Sequence, residues 1–480
     1  MFRYLMILSG LASSFFLFDL FSEEKTGTIA TNLQLADSAR AERNYASFCA
    51  SCHGEKMDAF VDRRWRHGQA GPDLFKAIKQ GYPDEGMPSF DTAFTDQEIN
   101  ELVEYIQKGI INVERYQFNA KPATNYFSSA GMNIRLDTIA RLNNDIAWGM
   151  AFLPNHEMLI TGRSGKLYKR LPDGSLQTVQ GAPQVLAEGQ GGLMDVVLHP
   201  AFNENKWVYL SYSAYKRTDS GLYSTTAIMR AKLEGDKLVE QQDIFEALPY
   251  SRTRHHYGSR MVFDKEGHLY FSVGERGNEK ANPQNLANDL GKIHRIKDDG
   301  SIPAGNPFAG QENARASIYS YGHRNPQGMA LDPATGLLWT NEHGPRGGDE
   351  INLVKKGANY GWPVATYGIN YNGTVISPRS VMKGIEPPVV YWIPSIAPSG
   401  MAIVTGDRYP AWKGGVLTGS LRFKYLNLSI IRNGKPVKEE MLLKNVGRMR
   451  DVRMGPDGYI YISVENPGYI FRLVPVEKKN

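Results

Sequence analysis

Six stretches of this chain read alike, and that repetition constrains its fold more than any other feature. They are WGMAFLPNHEMLITGRSG from Trp148, LMDVVLHPAFNENKWVYLSYS from Leu193, SRMVFDKEGHLYFSVGERG from Ser259, QGMALDPATGLLWTNEHG from Gln327, SGMAIVTGDRYPAWKGGVLTGS from Ser399 and RMRDVRMGPDGYIYISVENPG from Arg448. Each holds a short apolar strand, a turn built from Pro, Asp or Gly, and a second strand rich in Tyr, Leu, Val or Ile. That is a β-hairpin with its turn chemistry at the centre. Successive hairpins start roughly 45 to 75 residues apart, enough for four strands per unit, the size of a propeller blade. The helical signal here is poor, and a two-sheet sandwich would not repeat one hairpin six times. The expectation is a mainly β fold, a six-bladed β-propeller over residues 136–477.

The residues before the first strand of each hairpin are polar. Blade two has Gln190, blade three His255, His256 and Arg260, blade four His323, Arg324, Asn325 and Gln327, blade six Arg448, Arg450 and Asp451. If the first strands are the inner ones, these positions surround the axis at one end and converge on one pocket. Taken singly, each serves equally well as a turn or capping residue. Their shared register and four arginines favour an anionic ligand, since arginine stays charged and forks onto carboxylates.

The part of the chain before the propeller carries a different chemistry. FCASCHGE, from Phe48 to Glu55, holds both cysteines of the 480 residues. Cys49 and Cys52 followed by His53 form a C-x-x-C-H run, the attachment pattern of a c-type haem. A thioredoxin-like pair needs a βαβ setting, and a zinc site needs further Cys or His nearby; neither is visible. AIKQGYPDEGMPSF then reads as a helix ending at Gly81 and a stiff loop presenting Met87, the candidate second iron ligand. In TDQEINELVEYIQKG, Thr95 and Glu98 form a capping box, and Ile99, Leu102, Val103 and Ile106 make one apolar stripe. Helix, CxxCH, GMPSF and closing helix resemble a small all-α class I cytochrome c domain over residues 33–112, leaving 113–135 as a linker.

Residues 1–24 hold Arg3 and an apolar run from Tyr4 to Phe21, a signal peptide or anchor pattern. Asp19 in that run argues for cleavage over retention in a bilayer. The expected location is periplasmic or otherwise exported, as haem attachment to CxxCH also implies. The net charge of +5 is interspersed, with no basic run to suggest nucleic acid.

GHRNPQGMALDPATGLLWTNEHGPRGGDEINLVKKGANYGWP, GQGGLMDVVLHPAF, GKIHRIKDDGSIPAGNPF and YWIPSIAPSGM strongly resemble the soluble PQQ-dependent glucose and aldose sugar dehydrogenases. That resemblance implies pyrroloquinoline quinone (PQQ), a cofactor with three carboxylates, and a calcium ion beside it. It makes His256 the catalytic base, with Gln190 near base and substrate. Arg324 and Asn325 become cofactor contacts, with Arg324 also polarising the quinone, and Arg448 and Arg450 hold cofactor carboxylates. Arg422 stands where the family has lysine. Gly344 and Pro345 offer carbonyl oxygens, hard ligands suited to calcium. His255 replaces an aspartate of the glucose enzymes. The implied reaction is oxidation of an aldose or related aldehyde, with electrons leaving through haem c to an external cytochrome or membrane oxidase. A calcium-dependent propeller lactonase, or a sugar-binding sensor tethered to a cytochrome, is the alternative; the lactonase would need no haem, and the arginine set speaks against both.

Overall fold

The computed structural model describes residues 39–53, 67–83, 87–111, 122–277, 280–371, 374–392 and 395–477. The expected signal or anchor over 1–24 lies outside them. Among the described residues no helix is long and apolar enough to cross a membrane. The chain divides into two compact units, Met1–Phe118 and Asn119–Asn480.

The first unit is helical. A helical segment over 39–53 (α1) makes a π turn at Tyr45–Cys49 and ends in the α turn Ala50–His53. Helices Gly71–Gln80 (α2) and Asp96–Ile111 (α3) follow. Gly81 ends α2 at φ 66°, a conformation that costs glycine nothing. The capping box at α3 forms as its sequence predicts. Thr95 N–H donates to Glu98 Oε2 at 2.9 Å, and Glu98 N–H to Thr95 Oγ1 at 3.3 Å. Its apolar stripe is the buried face: Ile99, Leu102, Val103 and Ile106 are at most 5% exposed and pack with Tyr45, Cys49 and Leu74.

The second unit is a ring of six antiparallel sheets. Their innermost strands are Ala147–Phe152, Leu193–Leu198, Met261–Phe263, Pro326–Leu331, Pro398–Ile403 and Arg448–Met454. Each belongs to the first strand of one sequence hairpin, and successive inner strands touch around the axis. The glycines of the recurring G-M pair make that approach possible. A Cβ on Gly149 would meet Asp195 Oδ1 at 2.7 Å, one on Gly328 the Ser399 carbonyl at 2.4 Å, and one on Gly400 Asp451 Oδ1 at 2.4 Å.

Of the linker expected over 113–135, residues 113–121 lie outside the described residues, and the structure corrects the later part. Strands Tyr126–Ser129 and Met132–Arg141 are the outer members of blade six, the latter pairing with Tyr469–Pro475 at Leu136↔Leu473. The two ends of the propeller chain thus close the ring in one sheet. Ile134 and Leu136 are at most 5% exposed, and burying each contributes about 1.5–3 kcal/mol to that closure.

Candidate functional site

Polar residues before and at the start of the inner strands meet at one end of the axis. A cavity of about 260 Å³ lies there, lined by Trp148, Gln190, Gln327, His343, Arg448 and Arg450 among others. Ligand sites are of this order of size, with few placed polar groups.

His256 sits beside the cavity wall, bound to it by Gln190. Gln190 Oε1 accepts from His256 N–H at 2.8 Å, and Gln190 N–H donates to the Arg254 carbonyl at 2.7 Å. His256 Nδ1 lies 2.6 Å from Glu275 Oε1. Burial raises the Glu275 carboxyl above its ordinary value, while Arg324 and the hydrogen bond that Oε2 accepts from Gly277 N–H favour the carboxylate. Burial drives the imidazole pKa well below 6.5, with Arg324, His255 and Arg276 adding to the effect. The ring is therefore neutral, with its proton on Nδ1 directed at Glu275 and Nε2 left as a proton acceptor.

Arg324 and Asn325 reach the site from blade four. Arg324 N–H donates to Glu342 Oε2 at 2.6 Å, and its Nη1 to the carbonyls of His343 and Gly344 at 3.1 and 2.6 Å. Asn325 Oδ1 accepts from Gly258 N–H at 3.1 Å. Arg324 Nε and Asn325 Nδ2 are buried with no hydrogen-bond partner among the described residues. Buried donors left this way call for a ligand or water that accepts.

The Gly344–Pro345 turn is anchored by Asp349. Asp349 Oδ1 accepts from Gly344 N–H at 2.7 Å and Oδ2 from Ala397 N–H at 2.8 Å, while burial raises its carboxyl to about 6. The Pro345 carbonyl accepts from Ser395 Oγ at 3.1 Å, and Ser395 carbonyl in turn from Arg422 Nη1 at 3.0 Å. Arg422 is thus connected to the turn through Ser395. The carbonyls of Gly344 and Pro345 each carry a second lone pair beyond these bonds, which suits a hard cation.

Arg448 and Arg450 share Glu465, through Nε–Oε2 and Nε–Oε1 distances of 2.9 and 2.8 Å. Burial opposes ionisation of Glu465, but Arg450 and Arg448 outweigh it and hold the carboxyl down to about 2. One positive charge remains over this trio. Arg450 Nη1 also donates to Gln327 Oε1 at 3.1 Å. The fourth arginine of the set, Arg260, is not a cavity group. It is 1% exposed and bound to Asp451 and Asp195 on the axis, which satisfies its charge within the protein.

The Glucose / Sorbosone dehydrogenase family model matches residues 144–472. This chain belongs to that family. The aldose sugar dehydrogenase YliI of Escherichia coli (strain K12) is 43% identical over 339 residues, 69% of this chain and 90% of that protein. The quinoprotein glucose dehydrogenase B of Acinetobacter calcoaceticus is 35% identical over 250 residues, 46% of this chain and 50% of that protein. Among solved structures, the apo-form soluble aldose sugar dehydrogenase of E. coli superposes with a TM-score of 0.68 at 40% identity, covering 72% of this chain and all of that one. The PQQ-bound aldose sugar dehydrogenase of Streptomyces coelicolor gives 0.59 at 27% identity, over 72% and 98%.

This family member carries a second domain. The model for cbb3-type cytochrome c oxidase subunit III matches residues 36–106. There Cys49 is buried at the end of the π turn, His53 closes α1, and Met87 packs against the cluster containing Cys49. Met87 is fixed by backbone hydrogen bonds in both directions with Tyr82, at 2.7 and 3.1 Å. The Cys52 side chain lies outside the described residues.

Sequence reasoning missed Glu275, Glu342 and Glu465, the carboxylates that orient His256, Arg324 and the Arg448–Arg450 pair. All three occupy the end of a hairpin repeat, in SVGERG, WTNEHG and SVENPG. That common place was a usable signal.

Proposed function

We propose that this sugar dehydrogenase oxidises the C1 hemiacetal of an aldose to a lactone, using PQQ in the propeller and a c-type haem in the N-terminal unit as electron exit. The observation that carries the reading is the neutral His256, oriented by Glu275, beside buried donors on Arg324 and Asn325 that have no partner among the described residues. The relatives named as aldose sugar dehydrogenases, one in a PQQ-bound form, support it.

His256 Nε2 takes the proton of the C1 hydroxyl, work for which a neutral imidazole suits. Gln190 holds the His256 backbone and stands where the sugar meets the base. Asn325, Arg448, Arg450 and Arg422 bind the cofactor carboxylates and polar edge, and Arg324 adds positive charge where negative charge develops in the reaction. Gly344 and Pro345 would hold calcium through their carbonyl oxygens. When bound, the quinone supplies a two-electron acceptor for the hydride from C1.

In the N-terminal unit, Cys49 and Cys52 would tether a haem, and His53 and Met87 would hold its iron. Such a haem would supply a one-electron carrier toward an external cytochrome or membrane oxidase, in a protein exported from the cytoplasm. The test is a chain beginning at Asn119, the start of the second unit. With PQQ, calcium and a small diffusible dye it should oxidise an aldose; with cytochrome c as acceptor it should be nearly inactive, unlike the full chain. Equal reduction of cytochrome c by both chains would end the electron-exit reading. PQQ binding without aldose oxidation, even with dye, would end the dehydrogenase reading.

A further inference from the structure

Arg276 is 1% exposed and, apart from its charge effect on His256, has no part in the chemistry described above. Its guanidinium lies 3.5 Å from the centroid of the Tyr257 ring. Nη1 donates to the His255 carbonyl at 2.9 Å; Nη2 donates to the Thr253 carbonyl at 2.8 Å and to Ser224 Oγ at 3.1 Å. The Thr253 hydroxyl returns a bond to the Arg276 carbonyl at 2.6 Å. One side chain therefore holds the residue before His256 by its carbonyl and the residue after it by its ring. Tyr257 is itself pinned, its hydroxyl 2.7 Å from Ser224 Oγ.

His256 needs such a hold. Its φ is +56° and that of Arg276 is +69°, both in the left-handed region that costs a non-glycine residue about 1 kcal/mol or more. Without restraint the backbone at His256 relaxes to an extended or right-handed conformation, and the imidazole leaves Glu275. Arg276 also follows Glu275 in sequence, so the carboxylate that orients the ring and the cation that grips its neighbours are placed by one turn.

We propose that Arg276 is a positioning residue for the base. It fixes the left-handed backbone of His256 through His255 and Tyr257, and so keeps the imidazole against Glu275. This rests on the reading of His256 as the base. The ionisable groups facing His256 are Glu275, Arg324, His255, Arg276 and His343. Burial holds His343 near 3 and His255 below its ordinary value, so both are neutral at pH 7. Two arginines then oppose protonation of His256 and one carboxylate favours it. Losing Arg276 leaves one of each.

The experiment compares full-length wild type, Arg276→Gln and Arg276→Lys. Histidine ring nitrogens are titrated by NMR in cofactor-free protein, with His256 assigned from the His256→Ala spectrum. The profiles of kcat and KM against pH follow in PQQ- and calcium-loaded protein. In Arg276→Gln the His256 midpoint and the acid limb of kcat/KM should both rise, by about one pH unit, because a cation that opposes protonation of His256 is gone. Arg276→Lys keeps the charge and loses the fork, so the midpoint should stay while kcat falls about 10-fold at little-changed KM. A Gln variant with both readouts unmoved and only a lowered Tm overturns the proposal. If the Gln variant does not fold, the Lys variant decides alone, and wild-type kcat in it overturns the proposal. Near-normal turnover in His256→Ala removes the base assignment itself, an outcome distinct from either.

Discussion

Replacing Arg260 by methionine should destabilise the propeller more than replacing Arg260 and Asp451 together. On the axis below the cavity, Arg260 Nη1 lies 2.8 Å from Asp451 Oδ1 and 3.3 Å from Asp195 Oδ1. Arg453 closes the quartet, with Nε 2.9 Å from Asp451 Oδ2 and Nη2 2.5 Å from Asp195 Oδ1. The side chains of Arg260, Asp195 and Asp451 are at most 1% exposed, and that of Arg453 is 18% exposed. Two cations and two anions are balanced out of water. Arg260→Met leaves two buried carboxylates facing one arginine, which costs about 3–5 kcal/mol. It also removes the 2.9 Å bond from Arg260 Nε to the Gln327 carbonyl, worth about 1 kcal/mol. Adding Asp451→Asn restores neutrality, because Arg453 and Asp195 remain as a pair. The double variant should therefore recover about 2 kcal/mol of the loss, a coupling expected of charges in one network. Guanidinium unfolding followed by tryptophan fluorescence measures each variant. A cost below about 1 kcal/mol for Arg260→Met, or a double variant as unstable as the sum of the singles, refutes the charge-balance argument.

Three further outcomes follow from the site. His256→Ala should keep PQQ binding, measured by absorbance titration, and lose about 100-fold or more in turnover, the worth of a positioned base; near-normal turnover places the base elsewhere. Because burial and the arginines hold His256 well below 6.5, it protonates only in more acid solution than an ordinary histidine. Activity should therefore persist as pH falls through 6.5 and decline below it, so an acid limb of kcat/KM at or above 6.5 contradicts the structure. Met87→Ala should retain covalent haem, open the sixth iron position to added ligands and lower the reduction potential; an unchanged low-spin spectrum and potential points to a different ligand.

The blades were legible because each hairpin carries an apolar run and a Pro, Asp or Gly turn, with a Gly-Met pair in three of the six inner strands, all local features. The closure of the ring was not. Met132–Arg141 pairs with Tyr469–Pro475 across the whole propeller, and its partly exposed strand has no turn signal toward its partner. The buried quartet left a partial trace: Asp195 interrupts the apolar strand LMDVVL, and Asp451 sits inside RMRDVRM. A carboxylate in a buried strand requires a cation, and its identity comes from another blade, so sequence signals the need but not the partner.

The functional residues follow a register that the hairpin imposes. In an antiparallel pair the first residue of the inner strand lies opposite the last of the next strand. Arg448 faces Glu465 and Pro326 faces Glu342 in this way, and Glu275 follows the second strand of blade three, where it meets His256. The groups that act and the carboxylates that orient them are thus the two ends of the same hairpins. Reading only the residues before and at the start of each inner strand finds His256, Arg324, Arg448 and Arg450. Reading their cross-strand positions as well finds Glu275, Glu342 and Glu465. A propeller that varies its chemistry at this rim must therefore change both ends of a hairpin together. An arginine or histidine gained without its facing carboxylate would be a buried cation without orientation, and a carboxylate gained alone would be an unpaired buried anion.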